Sequence, residues 1–173
     1  MTTLSLRSFV PPSNTDAFRD ALGAGDAAAI ERLVRATGVF SAAEIAIARE
    51  LAEENLAKGA EGSGYHFLVA GGENGIDGYT CFGPISGTNA RYELYWIAVA
   101  PGARRSGLGR RLQQATESRV RAMGGKILIA ETSTTPHYAA ARGFYLSLGY
   151  ALLAEVPDWH DDGDGLAIFG KRL

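Results

Sequence analysis

The chain has 173 residues, 46% of them apolar and 21% charged, with a formal net charge of −2. These values fit a single globular domain over residues 1–173 and exclude the overall basic field that recruits nucleic acid. One cysteine, Cys81, leaves no partner for an internal disulfide; with neither a bilayer-length apolar run nor a signal-peptide core at the N-terminus, a soluble cytoplasmic protein without membrane contacts is expected.

Leu4 to Phe9 alternate apolar and polar residues before Pro11-Pro12, which predicts a short strand. Asp26 is expected to cap a helix through Ile30, Leu33 and Val34 that stops at Gly38. Ser41 and Glu44 have the spacing of a capping box, opening a second helix with an apolar face of Ile45, Ala48, Leu51 and Leu56 that ends near Gly59. Two strands follow, flanking "GGENG", where Asn74-Gly75 signals a hairpin turn. Residues 84–90 are a loop. Arg91 to Val99, rich in aromatic and β-branched residues, read as a central strand. Leu108, Leu112, Ala115 and Val120 mark one face of a third helix, running to about Met123. "KILIAETS" reads as a strand buried on both sides. A last helix runs from Pro136 to Gly149. Two closing strands are joined by an acidic turn, "PDWHDDGDG". This order predicts a mixed α/β fold: a mostly antiparallel sheet of six to seven strands, about four helices, and a parallel crossover from 91–99 to 126–132.

Between the central strand and the third helix lies "ARRSGLGRRL", residues 103–112. Small residues at a helix start let backbone N–H groups converge on an anion, where the helix dipole favours negative charge. A Walker A loop is excluded by spacing. A dinucleotide fingerprint fails because Leu112 stands where its third glycine belongs. The pattern [Q/R]-x-x-G-x-[G/A] fits through Arg104, Gly107 and Gly109. On its own this stretch would read as a tight turn with solvated arginines. Downstream, however, "ARGFYLSLGY" (141–150) supplies A-x-x-F-Y-x-x-x-G-Y.

With both motifs in this order, the sequence resembles the GNAT superfamily of N-acetyltransferases, over about residues 65 to 155. The resemblance implies that acetyl-CoA is the co-substrate. Its pyrophosphate would lie on the amides of Arg105, Ser106, Gly107, Leu108, Gly109 and Arg110, with Arg104 adding charge. Its pantetheine arm would follow the end of a splayed strand at Ile97, Ala98 and Val99, with Thr132 and Ala141 close by. Tyr138 stands where many members carry an asparagine that bonds this arm. Tyr145 holds the general-acid position. Glu93 matches the spacing of the glutamate base in histone-acetylating members, and alternation puts it on one face with Tyr95 and Ile97. It could equally be a strand-end glutamate paired with Arg91. Glu131 is its rival as base, and a water chain is a third route. The implied reaction is direct acetyl transfer to a primary amine of a small molecule or peptide, without a metal. The alternatives are a non-catalytic acyl-CoA sensor and a longer acyl donor. Homodimers recur in the superfamily, and that expectation carries over.

Other features are set aside. The acidic turn lacks the ligand order of a calcium loop, since His160 and Phe169 fall at ligand positions. His66 and His137 have no ligand partners at metal spacing. Cys81 reads as core.

Overall fold

The computed structural model describes residues 18–72 and 75–173. The expected N-terminal strand at 4–9 and Asn74 of the hairpin lie outside the described residues. Helices α1 (Asp26–Thr37) and α2 (Ala42–Ser63) precede strands β1 (His66–Gly72), β2 (Gly75–Pro84) and β3 (Arg91–Val99). Then come α3 (Leu108–Ala122), β4 (Ile127–Ser133), α4 (Ala139–Ser147), β5 (Ala151–Asp161) and β6 (Asp164–Arg172). One sheet has the order β1-β2-β3-β4-β6-β5, and its β3–β4 pair alone is parallel.

Two cores lie on opposite faces of the sheet. Ile30, Leu33, Val34, Ile45, Ala48 and Ala52 pack α1 and α2 on Phe67, Val69, Tyr79 and Cys81. On the other face, Leu108, Leu112 and Val120 of α3 and Tyr145 of α4 pack on Leu68, Phe82, Leu94, Leu128 and Ala130. Strand alternation assigns these residues to their faces. Burying a large aliphatic or aromatic side chain contributes roughly 1.5–3 kcal/mol, so these two layers fix which face each helix covers.

The capping box at α2 forms as the sequence predicts. Ser41 Oγ accepts from the Glu44 N–H, and Glu44 accepts from the Ser41 N–H. Several details differ from expectation. Gly25 is the N-cap of α1, while Asp26 begins the helix, pairs with Arg19 at 2.7 Å and accepts from the Gly23 N–H. The short link before α1 draws that carboxylate back toward its own entry. Helix α2 continues to Ser63 past a break at Gly59, and Leu56 is exposed. Strand β4 is fully covered on one face only, by Leu128 and Ala130; Glu131 is exposed, because the sheet opens beside it. The expected acidic turn is largely strand: β5 reaches Asp161, and four residues, 157–160, bulge out opposite Gly165. Asp158 supports that bulge by accepting from the Gly163 N–H.

Candidate active site

Strands β3 and β4 pair from Arg91 and Ile127 as far as Leu94 and Ala130. Beyond that point β3 stays with β2 and β4 with β6, so the parallel neighbours diverge and their facing edges open. A cavity of about 1420 Å³ occupies the opening. Its lining comes from both faces of the sheet: Ile97, Val99, Leu108, Ala141, Phe144 and Tyr145 on the α3–α4 side, and Phe40, Glu44, Leu51, Tyr65 and Trp96 on the α1–α2 side. The cavity therefore passes through the sheet.

A bulge in β3 sorts its residues between the two sides. Cys81 pairs with Trp96 and Phe82 with Leu94, which leaves Tyr95 as the extra residue. Glu93 lies between Tyr92 and Leu94, both packed on the α3–α4 core, so it faces the α1–α2 side with Tyr95. Ile97 and Val99 fall on the opposite face, against α3 and α4. Strict alternation puts Glu93, Tyr95 and Ile97 together; the bulge moves Ile97 across. Glu131 is two residues beyond Ile129, the partner of Glu93, and so shares the Glu93 face. Desolvation, helped by the Glu131 charge, pushes the Glu93 carboxyl up to about 7.

The loop into α3 turns through two left-handed residues, Arg105 (φ 63°) and Gly107 (φ 77°). Gly107 is the N-cap, and the first intrahelical bond runs from the Arg111 N–H to its carbonyl. The amides of Gly109 and Arg110 thus have no intrahelical acceptor. Ser106 Oγ closes the turn on the Ala103 carbonyl and accepts weakly from the Leu108 N–H at 3.4 Å. Gly107 is required by its φ. Gly109 is not: a Cβ there would approach no protein atom closer than 3.6 Å. That Cβ would touch the side chains of Val99 and Phe144, and Gly109 itself lines the cavity. Arg104, Arg105 and Arg110 line this end, and Arg104 donates to the Thr37 carbonyl at 2.9 Å.

Tyr145 lies in a cage of Phe144, Tyr150 and Phe169. Burial pushes its phenol well above the usual range, so it stays protonated at neutral pH. Tyr138 donates to both carboxylate oxygens of Glu44, at 3.0 and 3.2 Å. His137 Nε2 donates to the Val39 carbonyl at 2.7 Å. Thr132, Ser133, His160 and Asp164 complete the far wall, where Ser133 donates to Asp164. All the residues singled out from the sequence for catalysis or cofactor binding line this cavity except Ser106, which braces the loop. Sequence reasoning missed Glu44, Tyr65 and Leu51, and placed the acidic turn with His160 and Asp164 at the acceptor site. Glu44 was visible only as a helix cap, and nothing local signals its contact with Tyr138.

A family model described as an acetyltransferase (GNAT) domain matches residues 63–152. The chain belongs to the GNAT acetyltransferase family. A crystal structure of a GNAT-family protein from Desulfovibrio desulfuricans is 40% identical, with a TM-score of 0.87, covering 90% of this chain and 98% of that one. Two more distant structures share the GNAT fold. The ribosomal-protein-S18-alanine N-acetyltransferase of Escherichia coli is 19% identical (TM-score 0.69; 90% of this chain, 92% of that one). The Salmonella typhimurium protein yncA, solved with its cofactor acetyl-CoA, is 23% identical (TM-score 0.67; 90% and 92%). No curated protein matches this GNAT chain. Among its described residues, no helix is long and apolar enough to cross a membrane, and no group of three His, Cys, Asp or Glu side chains could hold a metal ion.

Proposed function

We propose that this GNAT enzyme moves an acetyl group from acetyl-CoA to a primary amine by direct attack in a ternary complex. The observation that carries this reading is the cavity through the splayed β3–β4 pair, lined by the loop that opens α3 and by the carboxylates of Glu93 and Glu131. The pyrophosphate lies on the amides from Arg105 to Arg110. The pantetheine arm follows the open edge of β3 at Ile97, Ala98 and Val99, near Thr132 and Ala141. Acetyl-CoA supplies a thioester carbonyl to the α1–α2 side.

On that side Glu93 takes the proton lost by the attacking amine, directly or through one water. A carboxyl titrating near 7 is matched to this task, because it is ionised in part at neutral pH and still basic. The new C–N bond forms as the C–S bond breaks. Tyr145 donates its phenolic proton to the departing CoA thiolate and regains one from solvent. Glu131 tunes Glu93 through its charge. The acceptor is a small-molecule or peptide amine, and the protein works in the cytoplasm as a homodimer.

Release of free CoA thiol tests this function. With acetyl-CoA and an amine panel, amine-dependent release is expected from the wild type. In Tyr145→Phe the rate should fall by about 100-fold, the order that general-acid catalysis supplies. Release that is equal in the two proteins would remove Tyr145 from the chemistry.

A further inference from the structure

A small polar group interrupts the core on the α3–α4 face of the sheet. Gln113 and Glu117 of α3 are buried there, and so is Tyr150, between α4 and β5. Gln113 Nε2 donates to the Tyr150 hydroxyl, while Gln113 Oε1 is buried with no partner among the described residues. Lys171 stands 5.5 Å over the Tyr150 ring and pairs with Glu117. A buried polar atom left unpaired costs about 1–3 kcal/mol, and an apolar pair of the same shape would fill this space without that cost. Packing therefore does not account for the Gln113–Tyr150 pair.

The pair lies directly behind Tyr145. The Tyr145 hydroxyl has no hydrogen-bond partner among the described residues, so ring packing alone aims it. The rings of Phe144, Tyr150 and Phe169 each lie with their centroid 5.7 Å from that of Tyr145. Of these three, Tyr150 alone carries a polar group that can anchor its ring. Its N–H also donates to the Tyr145 carbonyl at 3.1 Å. Tyr150 is thus tied to α4 by its backbone, to Tyr145 by its ring and to α3 by its hydroxyl. The first turn of α3 ends the anion loop, so the Gln113–Tyr150 bond connects that loop's helix to the acid. The arm of CoA has a fixed length between pyrophosphate and sulfur, and an acid that meets the sulfur must keep a matching distance from the loop.

We propose that Gln113 and Tyr150 position the general acid: the buried hydrogen bond between them holds the Tyr145 ring in a fixed place relative to the start of α3. This rests on the acetyl-transfer reading and adds two residues to it. Tyr150 is a positioning residue that acts through the Tyr145 ring, and Gln113 acts through Tyr150. A misplacement of about 1 Å can slow a reaction by on the order of 100-fold, so loosening this bond reaches turnover without touching cofactor binding.

The test compares wild type with the double variant Gln113→Leu/Tyr150→Phe. This variant removes both ends of the bond and leaves Glu117 on Lys171, so its urea midpoint should equal or exceed that of wild type. Calorimetry should give it wild-type affinity for acetyl-CoA. Its kcat for CoA thiol release, with the primary amine that wild type uses fastest, should fall by about tenfold. Gln113→Met, close in shape, breaks the same bond and should show the same loss; it serves if the double variant does not fold. The loss should vanish in a Tyr145→Phe background, where no hydroxyl is left to aim, whereas a merely structural pair would slow that protein as well. Wild-type kcat in the folded double variant or in Gln113→Met, or an equal loss with and without the Tyr145 hydroxyl, would overturn the proposal and leave acetyl transfer standing. No thiol release from wild type with any amine would instead overturn acetyl transfer, and this inference with it.

Discussion

Glu93 and Glu131 share one face of diverging strands, and the carboxyl of Glu93 is half-buried besides, so its proton is held up to about 7. Two consequences follow from the sign of that shift. Between the ordinary glutamate range and about 7 the folded chain keeps a proton that the unfolded chain has lost, so this contribution to stability disappears as pH rises through 7. Activity runs the other way, because the proposed base must be ionised. The expected kcat/KM therefore climbs with pH to a plateau, with a midpoint near 7. Glu93→Gln should lower kcat/KM by about 100-fold and flatten that step. Its melting temperature, relative to wild type, should be higher at pH 8 than at pH 5. The two loop glycines also separate by experiment. Gly107→Ala forces an L-residue into a left-handed φ and should cost about 1–2 kcal/mol in urea unfolding. Gly109→Ala meets no close protein atom and should leave stability equal or slightly higher, since alanine favours the helix.

Helix α3 is tied to β6, on the face of the sheet that it covers, through a buried acid. Glu117 is almost fully buried and accepts from Lys171 of β6 at 2.8 and 2.9 Å, with Arg121 at 3.7 Å. Lys171→Met should lower unfolding free energy by about 3 kcal/mol, because it strands a buried carboxylate. Urea denaturation measures this. Elements whose signals are local were legible in the sequence: the Ser41–Glu44 box, the glycine stops after α1, α3 and α4, the loop of α3, and the crossover implied by β3, α3 and β4. The bulge at Tyr95 was not, because a bulge is set by how two strands settle against different helices, and "ELYWI" alternates well enough without one. Nor was the Glu44–Tyr138 tie, which joins residues far apart in sequence. The bulge at 157–160 was read as a turn because its Pro and Asp residues are turn formers, whichever strand carries them.

Taken together, the fold converts one local failure of strand pairing into a passage lined by groups of opposite charge. The loop into α3 supplies arginines and helix amides; α2, β3, β4 and β6 supply carboxylates. At the sheet's edge, β5 is exposed along its whole length and shows Leu152, Leu153, Val156 and Trp159 to solvent. A long apolar edge strand is a template for pairing, and a second copy of the chain is the occupant proposed here. Light scattering should give a dimer mass for wild type and a monomer for Leu153→Lys; a monomeric wild type would remove the homodimer from the account. The claim on which the rest depends is that the opening between β3 and β4 receives acetyl-CoA with its pyrophosphate at the start of α3. Calorimetric titration of acetyl-CoA into wild type and Gly109→Glu tests it most directly. The account predicts saturable binding by wild type and affinity weaker by about tenfold or more in the variant, whose carboxylate opposes the phosphate charge at the start of α3. Equal affinity in the two proteins would contradict it.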